Sequence, residues 1–110
     1  MWQAPANAGI AVWASAANTF SAAGSATSTP TLPGGAIGFP RVVRASGNVS
    51  GQVVVNISNN QQVIVPVNPN APFTEVAIPA SAFPIKTGQV SVTLTSDGAG
   101  TIRALIGFAP

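Results

Sequence analysis

The stretch Asn48-Val49-Ser50-Gly51-Gln52-Val53-Val54-Val55-Asn56-Ile57-Ser58 decides the fold class. Val49, Gly51, Val53, Val55 and Ile57 fall on one set of alternate positions, and Ser50, Gln52, Val54, Asn56 and Ser58 on the other. A period of two puts successive side chains on opposite faces of an extended backbone, so the segment predicts a strand with one face on a core. Asn59-Asn60 follows as a turn, because Asn tolerates positive φ. The chain then returns from Gln62 to Val67 with Val63, Val65 and Val67 on one face. Pro66 has no N–H for a ladder, which places this second strand at a sheet edge or ends it there.

The same period continues toward the C-terminus. Asn68-Pro69-Asn70-Ala71-Pro72 is a loop by its turn chemistry, and Thr74 to Ile78 alternates Thr74, Val76 and Ile78 with Glu75 and Ala77. Pro79 and Pro84 bracket a connection whose Phe83 is expected to plug the end of the core. Gln89 to Thr95 turns Val90, Val92 and Leu94 inward, and Thr101 to Phe108 does the same with Ile102, Ala104, Ile106 and Phe108. Asp97-Gly98 between them reads as a hairpin turn. No run of helical period interrupts this series. The expectation is an all-β fold, a small antiparallel β-sandwich or jelly-roll-like domain over residues 41–110.

Residues 1–40 read differently. They hold no Asp, Glu, Lys or Arg, yet they carry both tryptophans. Pro5, Pro30, Pro33 and Pro40, with Gly9, Gly24, Gly34, Gly35 and Gly38, argue against a long helix or a central strand. Large apolar residues are widely spaced among Ala, Ser, Thr and Asn. The segment is expected to be an extended, uncharged N-terminal arm, with Gly9 to Ala14 able to add to the edge of another sheet. A flexible linker is the rival reading, but Trp2, Trp13, Phe20 and Phe39 are side chains that solvated linkers avoid and interfaces concentrate.

Composition bounds the function. Only 5% of the 110 residues are charged, against about 25% in an ordinary globular domain. The net charge of +2 comes from Arg41, Arg44, Lys86 and Arg103 against Glu75 and Asp97. Only Arg41 and Arg44 lie close together, which is no basic stripe for nucleic acid; they read as solvated charges where arm meets domain, or as a contact for an acidic partner. No membrane span is expected, because Asn7, Ser15, Asn18 and Ser21 break the apolar runs. No signal peptide is expected either, since no Lys or Arg precedes Ile10 to Trp13. With no Cys and no His, neither a disulfide nor a zinc site is available, and association remains as the means of supporting a small core.

Catalysis is excluded on similar grounds. The chain has no His, Cys or Tyr, and its two carboxylates, Glu75 and Asp97, are better explained by an outward strand position and a turn than as an acid–base pair. No catalytic, cofactor-binding or metal-binding residue is assigned. Asn48-Val49-Ser50 and Asn56-Ile57-Ser58 match the glycosylation acceptor pattern, but both fall in the strongest strand and are read as chance matches.

A proline- and glycine-punctuated arm ending in Pro33-Gly34-Gly35-Ala36-Ile37-Gly38-Phe39-Pro40, followed by a compact β domain, resembles the small tailed-bacteriophage virion proteins of the capsid decoration or cement type. The resemblance is one of layout and composition across the whole chain. It implies a non-enzymatic structural protein, made in the host cytoplasm and located in the virion, whose partners are the major capsid protein or other virion subunits. It also implies a homo-oligomer, with a trimer favoured, anchored by Trp2, Trp13, Phe20, Ile37 and Phe39. A phage tail or fibre component is the neighbouring reading. A carbohydrate-binding or adhesin-type module is the alternative from another class, and on this reading of the sequence its strand faces carry no aromatic platform.

Overall fold

The computed structural model describes residues 12–28, 30, 37–57, 61–78, 85–86 and 90–109, which form nine strands and no helix. In chain order they are β1 (Val12–Phe20), β2 (Gly24–Ser28), β3 (Ile37–Gly47), β4 (Gly51–Ile57), β5 (Gln61–Val67), β6 (Thr74–Ala77), β7 (Ile85–Lys86), β8 (Val90–Ser96) and β9 (Gly100–Ala109). One sheet runs β1-β9-β3-β6, with the short β7 also paired to β3, and the other runs β2-β8-β4-β5. Every pairing is antiparallel.

Setting β7 aside, the first strand pairs with the last, the second with the second-last, the third with the third-last, and the two middle strands with each other. A long antiparallel hairpin folded over on itself in this way is a jelly roll, with partners alternating between the two sheets. The sandwich expected from the period-two segments is therefore present, in its jelly-roll form.

The core lies between the sheets and is built from the residues the alternation turned inward. Val53, Val55 and Ile57 on β4 meet Val63, Val65 and Val67 on β5, Val90, Val92 and Leu94 on β8, and Ile102, Ala104, Ile106 and Phe108 on β9. Val43 and Ala45 on β3 and Ile78 after β6 complete it. β5 is the terminal strand of its sheet, so Pro66 sits where a missing N–H costs no ladder bond. The pairing Ile57↔Gln61 joins β4 and β5 as a hairpin, as the turn at Asn59-Asn60 predicts; those two residues themselves lie outside the described ones, as does Phe83.

Three features depart from the sequence reading. First, much of the expected arm is part of the sandwich. β1 lies along β9 over nine residues, from Val12↔Phe108 to Phe20↔Gly100, and β2 lies along β8. Ala14, Ala16 and Phe20 of β1 are buried in the common core. Residues 1–11 and 31–36 lie outside the described residues.

Second, Gly38 and Pro40 stand inside β3, which lies between β9 and β6. The pairing with β9 slips between Pro40 and Val42, so Arg41 is the extra residue of a bulge and the proline, opposite Phe108, stands beside it, short of the residues that pair with β6. The freed Arg41 carbonyl accepts a hydrogen bond from the Ile78 N–H at 2.8 Å.

Third, Asp97-Gly98 is not a hairpin turn. β8 and β9 belong to opposite sheets, so residues 97–99 carry the chain across the sandwich. The Asp97 N–H donates to the Ser50 carbonyl at 2.9 Å, and the buried Ser96 hydroxyl donates to the Gly98 carbonyl at 2.6 Å. The neighbouring corner is held by Asn48, whose Oδ1 accepts from the Thr101 N–H at 2.8 Å. Asn56 Oδ1 accepts from Gln62 Nε2 at 2.9 Å, so both asparagines of the acceptor-pattern tripeptides are engaged in the chain's own bonds.

Candidate partner-binding surface

The outward face of the β1-β9-β3-β6 sheet carries a cluster assembled from three separate parts of the chain. Its order follows from register. Ser15, Leu105, Arg44 and Glu75 lie in one row across the sheet, and Trp13, Gly107, Val42 and Ala77 in the next. Val43 and Ala45 point into the core, so Val42 and Arg44 point outward. Gly107 carries no side chain, which leaves room for the Trp13 indole to lie over β9 toward β3.

Arg44 is the centre of the cluster. Its Cζ lies 4.7 Å from the Trp13 ring centroid and 4.8 Å from that of Phe73, so the guanidinium is held between two aromatic rings. Its Nε donates to Glu75 Oε2 at 2.6 Å, which fixes the plane of the guanidinium from the side. Each cation–π contact contributes about 0.5–1 kcal/mol at an exposed site, and a solvated ion pair about 0–1 kcal/mol. The cluster is thus a preformed surface feature whose individual contacts are weak.

Both rings remain open to solvent, Trp13 at 36% and Phe73 at 47% exposure, and Val42 beneath this face is fully buried although it lies outside the main core. Ile64 on β5 is the other large exposed apolar side chain among the described residues, on the second sheet. Tryptophan, arginine and phenylalanine are the side chains that interface centres concentrate, and here three of them form one ordered group.

The five residues expected to anchor a partner are dispersed. Trp13 joins the cluster. Phe20 closes β1 at 8% exposure in the chain's own core, so it is not an exposed anchor. Phe39 is half-buried on β3 beside Arg41, whose Cζ is 5.6 Å from its ring centroid. Ile37 opens β3 opposite Lys86, and its side chain lies outside the described residues, as does Trp2.

The sequence reading missed Arg44, Glu75 and Phe73 as members of one site. Arg44 and Glu75 both stand at outward positions of strands, and that shared parity was the available signal. The strand order that makes them neighbours was not. The structure also corrects the expectation that strand faces carry no aromatic platform: Trp13 is on β1, at the outward face of a sheet. Among the described residues no group of three or more acidic, His or Cys side chains gathers as a metal site. Comparison with protein-family models, with curated proteins and with solved structures finds no match to this chain.

Proposed function

We propose that the chain is a non-enzymatic structural assembly protein of the virion, a decoration or cement subunit that binds a capsid lattice and stabilises it. The single observation that carries this reading is the Trp13–Arg44–Phe73 stack, an ordered group of interface-type side chains left open on a sheet face. Low charge supports it, since a surface with six charged side chains in 110 residues suits contact with other protein more than free solution. Jelly rolls serve both capsid and lectin domains, so the fold raises this reading without selecting it.

The mechanism is mass action. A subunit that binds the assembled shell and not its separated parts stabilises the shell by RT ln(1 + [L]/Kd) per site, about 2.7 kcal/mol at a hundredfold excess over Kd. A tail or fibre position would use the same surface.

The same cluster favours one second reading, carbohydrate recognition. Half-exposed rings next to a guanidinium and a carboxylate offer both a stacking platform and hydrogen-bonding groups for a sugar. Two assays run in parallel separate the readings. Virus particles from the source of the sequence are labelled with antibody against the chain, and the purified chain is applied to a glycan array. Regular labelling of the particle surface, lost when Trp13→Ala and Arg44→Ala are combined, is expected. Particles free of the chain, together with micromolar glycan binding, would overturn the assembly reading.

A further inference from the structure

The two lateral sides of the sandwich are protected unequally. On one side the sheets end in β5 and β6. β5 carries the exposed Pro66, and β6 is only four residues long and carries Glu75. A proline, a short length and a charge are the devices by which natural sheets stop another strand from adding to an edge.

On the other side the sheets of the described residues end in β1 and β2, which touch each other, and neither strand carries any of these devices. From Val12 to Ser28 there is no proline and no charged residue. β1 is nine residues long and pairs with β9 in unbroken register, on one side only among the described residues. In an antiparallel strand alternate residues direct their N–H and C=O groups to opposite sides, so about half of β1 presents ladder groups to its outer edge.

We infer that this edge is an interface between two copies of the chain, in which β1 of one pairs antiparallel with β1 of the other. The occupant is specified by the chemistry of the edge. Backbone ladder groups in a row are matched by another extended strand. Of the outward side chains of β1, Ser15, Ala17 and Thr19 are small and exposed and Trp13 is the large one; none is charged, so any antiparallel register of β1 on itself sets no like charges opposite one another. A strand meeting its own copy in this way does so about a twofold axis, and an isologous contact closes at two chains. The dimer would join two four-strand orders into one eight-strand sheet, with a Trp13–Arg44–Phe73 stack from each copy on the same face. This differs from the trimer that the phage resemblance implies. It also stands independently of the virion reading, because it concerns the edge and not the outward cluster.

The test is the mass of the full chain by light scattering in low salt. The expected value is twice the 10.9 kDa of one chain. Ser15→Lys with Ala17→Lys puts two like charges on each edge, so that the full-length register, Val12 opposite Phe20, sets the two cations of one copy opposite the two of the other, and the expected result is a folded chain of single mass. Ser15→Glu with Ala17→Glu is expected to behave alike, and mixing the two variants is expected to restore the double mass. Trp13, Arg44 and Phe73 are unchanged in both, so loss of pairing is separable from loss of partner binding. As a readout that needs no charge, Ala17→Cys introduces a cysteine into a chain that has none, and a short bismaleimide is expected to link two chains through it. A single-mass wild-type chain, a threefold mass, a double mass indifferent to the lysines, or a cysteine variant that does not cross-link would each overturn the inference.

Discussion

Replacing Phe20 by alanine tests whether the N-terminal region is an appendage or a structural part of the sandwich. Phe20 is 8% exposed, stands opposite Gly100 at the end of β1, and packs with residues of both sheets. Phe→Ala in a core costs about 3–5 kcal/mol, the sum of lost transfer energy and the cavity left behind. The lower part of that range applies here, because the end of an edge strand can relax into the space more readily than a central strand. A chain of this length has a total stability of about 5–15 kcal/mol, so a loss of about 3 kcal/mol is a substantial share. With a urea slope of about 1–3 kcal/mol/M, the unfolding midpoint should fall by about 1–3 M. Far-UV circular dichroism and tryptophan fluorescence should report the same transition, since Trp13 lies on the same strand. A midpoint lowered by less than about 0.3 M at unchanged slope would refute the reasoning, because it would mean that β1 contributes no packed side chain at its end.

Four further outcomes follow from named contacts. Gly51→Ala should destabilise by about 1–3 kcal/mol in the same titration, because its new Cβ would press on the Thr95 carbonyl, which is backbone of an interior strand and cannot swing aside. Asn48→Ala should cost about 0.5–1.5 kcal/mol, through loss of the side-chain acceptor for the Thr101 N–H. Arg44→Ala should cost about 1–2 kcal/mol at most, and should shift the fluorescence of Trp13, while Glu75→Gln should cost under about 1 kcal/mol and less still in high salt. An Arg44→Ala variant with unchanged fluorescence would show that the guanidinium does not lie over the indole.

The parts of the fold that were legible are those where burial is strong on one face. β4, β8 and β9 each place an apolar set on alternate positions (Val53, Val55 and Ile57; Val90, Val92 and Leu94; Ile102, Ala104, Ile106 and Phe108), and each turned that set inward as the pattern requires. β1 was hidden because its inward residues include Ala14 and Ala16, too small to register as an apolar stripe, while its largest side chain, Trp13, points outward. β3 was cut short by Pro40, since nothing local reveals that the strand continues past it through a bulge at Arg41. The corner at Asp97-Gly98 has a hairpin's composition, and only the competition of β1 and β3 for the two sides of β9 sends the chain to the other sheet. The cluster around Arg44 depends on that same long-range order, because Trp13 on β1, Arg44 on β3 and Phe73 just before β6 are remote in sequence.

The proposed role stands most directly on where the protein sits. Cryo-electron microscopy of intact virus particles, with and without added chain, is the decisive measurement. The account predicts density of jelly-roll size at regular positions on the shell, with the Trp13–Arg44–Phe73 face turned toward a neighbouring subunit. A shell without that density, or density whose contact face is elsewhere while the cluster stays open to solvent, would contradict it.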